Sequence, residues 1–149
     1  MAGGSKRFDP VRLRSLRLAA GLTQRQLAQR AGVAPGRIGD WERGRFRPEP
    51  ASLTRLAQAL AVTPAALQTP TDSPTLADLR ADTGLTQRQL AAAAGLTAGA
   101  YAYAYAYLEL GATTLRPPAA AALAAALGVD ADTVAAAHAR TALRHPATR

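Results

Sequence analysis

Arginine is the residue type this chain concentrates. Ten of them, Arg12, Arg14, Arg17, Arg25, Arg30, Arg37, Arg43, Arg45, Arg47 and Arg55, stand in residues 11–69 against only Asp40, Glu42 and Glu49, a net charge of +7. A guanidinium is permanently charged and offers five N–H donors in a planar fork, so such a density suits a polyanion, above all the phosphates of a nucleic acid. Residues 76–139 reverse the balance, with Arg80, Arg88 and Arg116 against Asp78, Asp82, Glu109, Asp130 and Asp132, a net of −2. Only the first stretch has the footprint of a phosphate binder. Catalytic chemistry finds no support. His138 and His145 stand alone near the end, there is no cysteine, no Ser or Asp sits in a nucleophile motif, and no glycine-rich phosphate loop is present. No metal, no cofactor and no enzymatic activity are expected.

The 149 residues and the charge of +8 allow one ordinary domain or two small ones, and an internal repeat favours two. No window holds eighteen uninterrupted apolar residues, and the first ten residues lack the apolar core of a signal peptide, which points away from membranes and toward the cytoplasm.

The elements that position the arginines are legible in residues 21–44. Thr23 followed by Gln26 is a capping box, in which hydroxyl and amide satisfy orphan N–H groups at a helix start. Leu27, Ala28 and Ala31 continue at helical spacing until Gly32 breaks the run. Pro35 opens a second short helix, with Ile38 and Trp41 on its inner face, and Gly44 closes it. Two helices split by a short turn containing Gly form a helix-turn-helix unit.

Gly21-Leu22-Thr23-Gln24, Leu27-Ala28, Gly32-Val33, Ile38, Trp41-Glu42-Arg43-Gly44, Arg47-Pro48 and residues 56–60 resemble, in order, the Cro and phage-repressor (XRE-type) family of DNA-binding domains. The resemblance covers about residues 11–67. It implies a contact of Gln24 with a phosphate or base edge, backbone contacts from Arg25, Arg43, Arg45 and Arg47, and a reading face of Pro35, Gly36, Arg37 and Asp40. Of these, Arg37 is expected to read a base, since a bidentate fork on guanine is worth about 1–3 kcal/mol of discrimination. The resemblance also implies a supporting ion pair between Arg17 and Glu42. Pro35 and Gly36 depart from the family, which often has Gln, Ser or Arg there. Asp40 suits cytosine N4 but repels a phosphate, so direct readout is thin.

Along the chain, residues 1–9 are expected to be a flexible arm, either a plain terminus or one that adds DNA contacts. Pro10 starts a first helix, with Val11, Leu13, Leu16 and Ala20 predicted inward. A fourth helix over 51–60 and a short fifth, opened by Thr63-Pro64, complete a domain over 10–68. After a linker over 69–75, residues 84–91 repeat residues 21–28 without change at an offset of 63, and Leu108-Glu109-Leu110-Gly111 matches Trp41-Glu42-Arg43-Gly44 at an offset of 67. A second domain over 76–140 is therefore expected, with its own pair Arg80 and Glu109, followed by a basic tail over 141–149. The four inserted residues fall in the counterpart of the second helix, residues 97–110, whose Ala-Tyr alternation also has a strand-like period. Helix is preferred, because the flanking repeat demands it and Ala favours it. Tyr101 and Tyr105 then share one side, and Tyr103 and Tyr107 another. These four form a candidate interaction surface, or else they fill the core of a divergent copy.

The expected fold is all-α, two tandem five-helix lambda-repressor-like domains. The expected function is sequence-specific transcriptional regulation through double-stranded DNA, as a homodimer, with the second domain serving dimerisation, a protein partner or a signal. The alternative is a protein-interaction module using the same fold, such as an antitoxin, an adaptor or an RNA-polymerase-associated factor.

Overall fold

Local signals start and stop the helices. The computed structural model describes residues 4–96 and 104–144, which divide into two compact units, Met1–Pro70 with Ala81–Gly84 and the remainder. Helix α1 (Pro10–Ala19) begins where the Asp9 carboxylate accepts from the Val11 N–H, with Pro10 in the first turn where its missing donor costs nothing. In α2 (Gln24–Ala31) both arms of the Thr23/Gln26 capping box are made, at 3.1 and 2.9 Å. Gly32 ends it at φ +67°, a left-handed backbone that any side chain would strain. Three residues later α3 (Pro35–Glu42) starts on Pro35, and α4 (Pro50–Ala59) follows a loop. The expected fifth helix is a single 3-10 turn, Pro64–Leu67, and the Thr63 side chain does not cap it.

The first core gathers Leu13, Leu27, Ile38, Trp41, Leu53, Leu56 and Leu67. Two expectations for α1 fail: Val11 and Ala20 are exposed, because Leu13, Leu16 and Arg17 take the inward side. Phe8 is a further core member, so the arm expected over residues 1–9 is anchored to the first unit at Phe8. Its ring is the one large apolar group of residues 4–9 and is buried. The adjoining backbone is tied down as Asp9 N–H donates to Leu67 O at 3.0 Å and Thr69 N–H to Arg7 O at 2.7 Å.

In the second unit, Thr75 is buried and exchanges hydrogen bonds with Asp78 to cap α5 (Leu76–Thr83). Helix α6 (Gln87–Ala93) repeats the capping box with Thr86 and Gln89. The described part of the Tyr/Ala stretch is helical, α7 (Ala104–Glu109), so the strand-like period is not realised there. Helix α8 (Pro117–Leu127) ends at Gly128, and α9 (Ala131–Arg144) starts on Asp130, which accepts from Thr133 N–H at 2.7 Å. Helix α9 runs four residues into the stretch read as a tail. Thr141 explains this: it is buried, its hydroxyl donates to Ala137 O, and it accepts from Leu76 N–H. Among the described residues no single helix is long and apolar enough to cross a membrane.

Candidate nucleic-acid interface

The helix-turn-helix of α2 and α3 is locked to α1 by one buried carboxylate. Glu42, at the end of α3, accepts from Arg17 Nε at 2.5 Å and Nη2 at 3.1 Å. The remaining terminal nitrogen of Arg17 donates to Leu22 O at 2.9 Å, so the guanidinium also fixes the entry to α2. Gln24 adds a third link, its amide nitrogen 2.9 Å from Glu42 Oε2. Burial alone would raise the Glu42 carboxyl. The hydrogen bonds from Arg17 and Gln24 and the charges of Arg17 and Arg14 outweigh it, and hold the carboxyl below the usual range. Donating to Glu42 correspondingly raises Arg17 above its ordinary value.

This lock sets the outward face of α3. Pro35, Gly36 and Arg37 are exposed there, and beyond its neighbours and its own helix backbone nothing lies within 4 Å of where a Cβ on Gly36 would stand. Asp40 is half-buried and gathers two cations, Arg43 at 3.4 Å and Arg45 at 3.8 Å. Arg25 on α2 and Arg47 in the loop before α4 are exposed as well. The nine residues singled out for this role thus stand on α2, on α3 and in the loop that follows it. Gln24 stands among them with its amide nitrogen already engaged. Gly39 escaped the sequence reading. It is buried on α3, and a Cβ there would meet Arg43 Nη2 at 3.1 Å and Gln24 Oε1 at 3.4 Å. A glycine in a helix interior, one turn before an arginine, was the available signal.

The second unit carries the same lock. Arg80 donates to Glu109 at 2.5 and 3.2 Å and to Leu85 O at 3.0 Å, and Gln87 donates to Glu109 at 2.7 Å. One donor is added, the Tyr105 hydroxyl, 2.6 Å from Glu109 Oε1. Tyr105 is 2 % exposed, which corrects its placing on an interaction surface: the ring fills the core, and burial, then the charge of Glu109, pushes its hydroxyl pKa up. Tyr107 is 54 % exposed. Tyr101 and Tyr103, like His145, lie outside the described residues. His138 faces Thr113 O at 2.9 Å, and among the described residues no cluster of His, Cys, Asp or Glu could hold a metal.

A helix-turn-helix family profile matches residues 13–67, and a helix-turn-helix domain profile matches residues 74–137. No curated protein sequence matches the chain. Among solved structures, the restriction-modification controller protein C.AhdI from Aeromonas hydrophila is 38 % identical over 39 % of this chain and 88 % of its own, with a TM-score of 0.38. An HTH_3 family transcriptional regulator from Vibrio cholerae is 33 % identical over 39 % of this chain, with a TM-score of 0.38, and the match spans only 33 % of the regulator's length. The c2 repressor of phage P22, solved with a synthetic operator, is 30 % identical over 40 % of this chain and 91 % of its own, with a TM-score of 0.39.

Proposed function

The chain belongs to the Cro and phage-repressor (XRE-type) helix-turn-helix family, with two tandem copies of the motif, and from that membership we propose that it is a sequence-specific transcriptional regulator that binds duplex DNA through α2 and α3. One juxtaposition supports this reading. Arg37, Arg43, Arg45 and Arg47 stand exposed on or beside a helix that the Arg17–Glu42–Gln24 lock holds outward. In a helix-turn-helix the second helix enters the major groove while the first lies across the phosphates. Arg37 reads a guanine edge, and Gln24, Arg25, Arg43, Arg45 and Arg47 fix the register on the backbone. Pro35 and Gly36 contribute close approach and apolar contact in place of hydrogen bonds, and Asp40 accepts from a cytosine amino group.

The second unit serves assembly or signal input. Its α7 offers no cation or amide in the place of Arg37, while Tyr107, Leu110 and Leu143 are exposed and a cleft of about 610 Å³ is lined by Leu96, Tyr107, Thr114, Arg116 and Ala119. The protein acts as a homodimer that sets two first units on half-sites about 34 Å apart. Selection of sheared genomic DNA by the purified protein tests this directly. A sharp motif with paired half-sites is expected. Uniform weak enrichment would remove the sequence-specific reading and leave a protein-interaction module, with Tyr107 as its essential surface.

A further inference from the structure

The loop between α3 and α4 reads Arg45-Phe46-Arg47-Pro48, and Phe46 is 61 % exposed. A single apolar side chain in water is ordinary and says nothing by itself. The loop that carries this one is braced. Gly44 turns the chain at φ +71°, and Arg45 N–H donates to Asp40 O at 3.0 Å. The side chain of Arg45 lies 3.8 Å from the Asp40 carboxylate, which draws it to the face of α3. At the far end Pro48 is buried, and the segment at Gly4 packs on the loop so closely that a Cβ there would stand 2.5 Å from Pro48 O and 2.7 Å from Arg47 Cβ. A loop held at both ends therefore keeps a hydrocarbon ring in solvent between two exposed guanidiniums, beside the face read above as the DNA-binding surface.

We infer that Phe46 is a further contact residue of that surface, its ring packing on the deoxyribose groups of one strand while Arg45 and Arg47 hold the neighbouring phosphates. This rests on the DNA-binding reading. The chemistry is complementary: a duplex backbone alternates charged phosphate with largely hydrocarbon sugar, and the loop alternates guanidinium with ring. The contact carries no base information, so it strengthens binding to every sequence alike. It also releases no counterion, so unlike the arginines it adds affinity without adding salt dependence.

Titration of a fluorescein-labelled mixed-sequence duplex with the full-length protein, over about 50 to 200 mM salt, separates the contributions. Phe46→Ala is expected to bind about tenfold more weakly at every salt concentration, the weight of roughly half a buried Phe side chain, with an unchanged slope of log K against log salt. Phe46→Leu should recover most of the loss. Arg45→Ala and Arg47→Ala should each flatten the slope by about 0.9. Because the ring is exposed, unfolding curves of Phe46→Ala should match the wild type, which excludes misfolding as the cause. Wild-type affinity in Phe46→Ala overturns the inference while the arginine slopes still report DNA binding. A shift of Phe46→Ala from dimer to monomer in sedimentation without DNA also overturns it, by assigning the ring to a protein interface. Failure of the wild type to bind the duplex at any salt concentration removes the DNA-binding reading itself.

Discussion

Residues 21–44 and the described parts of residues 84–111 build the same scaffold and put different surfaces on it. Both open with a Thr/Gln capping box, and both end on a glutamate that accepts from an arginine of the preceding helix and from the first glutamine of the motif. The interiors are exchanged in a compensating way. Where the first copy has Ile38 and Trp41, the second has Tyr105 and Leu108, so the large aromatic moves from one inward position to the other and the core stays filled. The exchange introduces a hydroxyl into the core, and Glu109 takes it as a further donor. Among the described residues, the first copy instead leaves the Trp41 indole N–H buried without a partner. Outside, Arg37 of the first copy corresponds to Ala104 of the second, and Arg43 to Leu110. A frame stabilised from within tolerates replacement of outward residues, so the second copy keeps the fold while losing the counterparts of Arg37 and Arg43, although Arg88 still stands where the first copy has Arg25.

The comparison breaks most visibly at the buried glutamates. Glu109→Ala leaves the buried Tyr105 hydroxyl and the half-buried Arg80 without their carboxylate, and should destabilise the second unit by about 3 kcal/mol. Urea unfolding would show an early transition belonging to that unit, while DNA affinity of the remaining first unit persists. Tyr105→Phe is the finer version. It removes only the hydroxyl that the first copy lacks, and should cost about 1.5–3 kcal/mol in the same unfolding measurement without changing DNA binding. Arg37→Ala tests the outer face, with a loss of about 1–3 kcal/mol on a selected site and relaxed preference at one base pair. Arg88→Ala, in the second copy, should leave the same binding curve unmoved. The smallest effect is acid sensitivity. Because Glu42 is held below its unfolded value of about 4.3, the unfolded chain takes up the proton first as pH falls. The stabilisation is complete above that value and disappears as pH drops through the folded one. Glu42→Gln should therefore flatten the fall in stability of the first unit as pH drops below about 5, measured by urea titration.

The starts of α2 and α6 were legible in the sequence, because capping is a local matter. Thr23 and Gln26, or Thr86 and Gln89, find each other across three residues whatever the rest of the chain does. The repeat and the charge contrast were legible for a similar reason, being written in order and count, whereas the Arg17–Glu42 pair was implied by the family resemblance. Which side chains lie inward, and which polar groups are already engaged, was decided by tertiary structure. Phe8 meets its core only because residues 67–69 pass beside it, Thr141 is buried because the start of α5 needs its hydroxyl, and Tyr105 turns inward to Glu109 while Tyr107 faces out. Burial depends on contacts between residues far apart in the chain, and neither periodicity nor composition contains those distances.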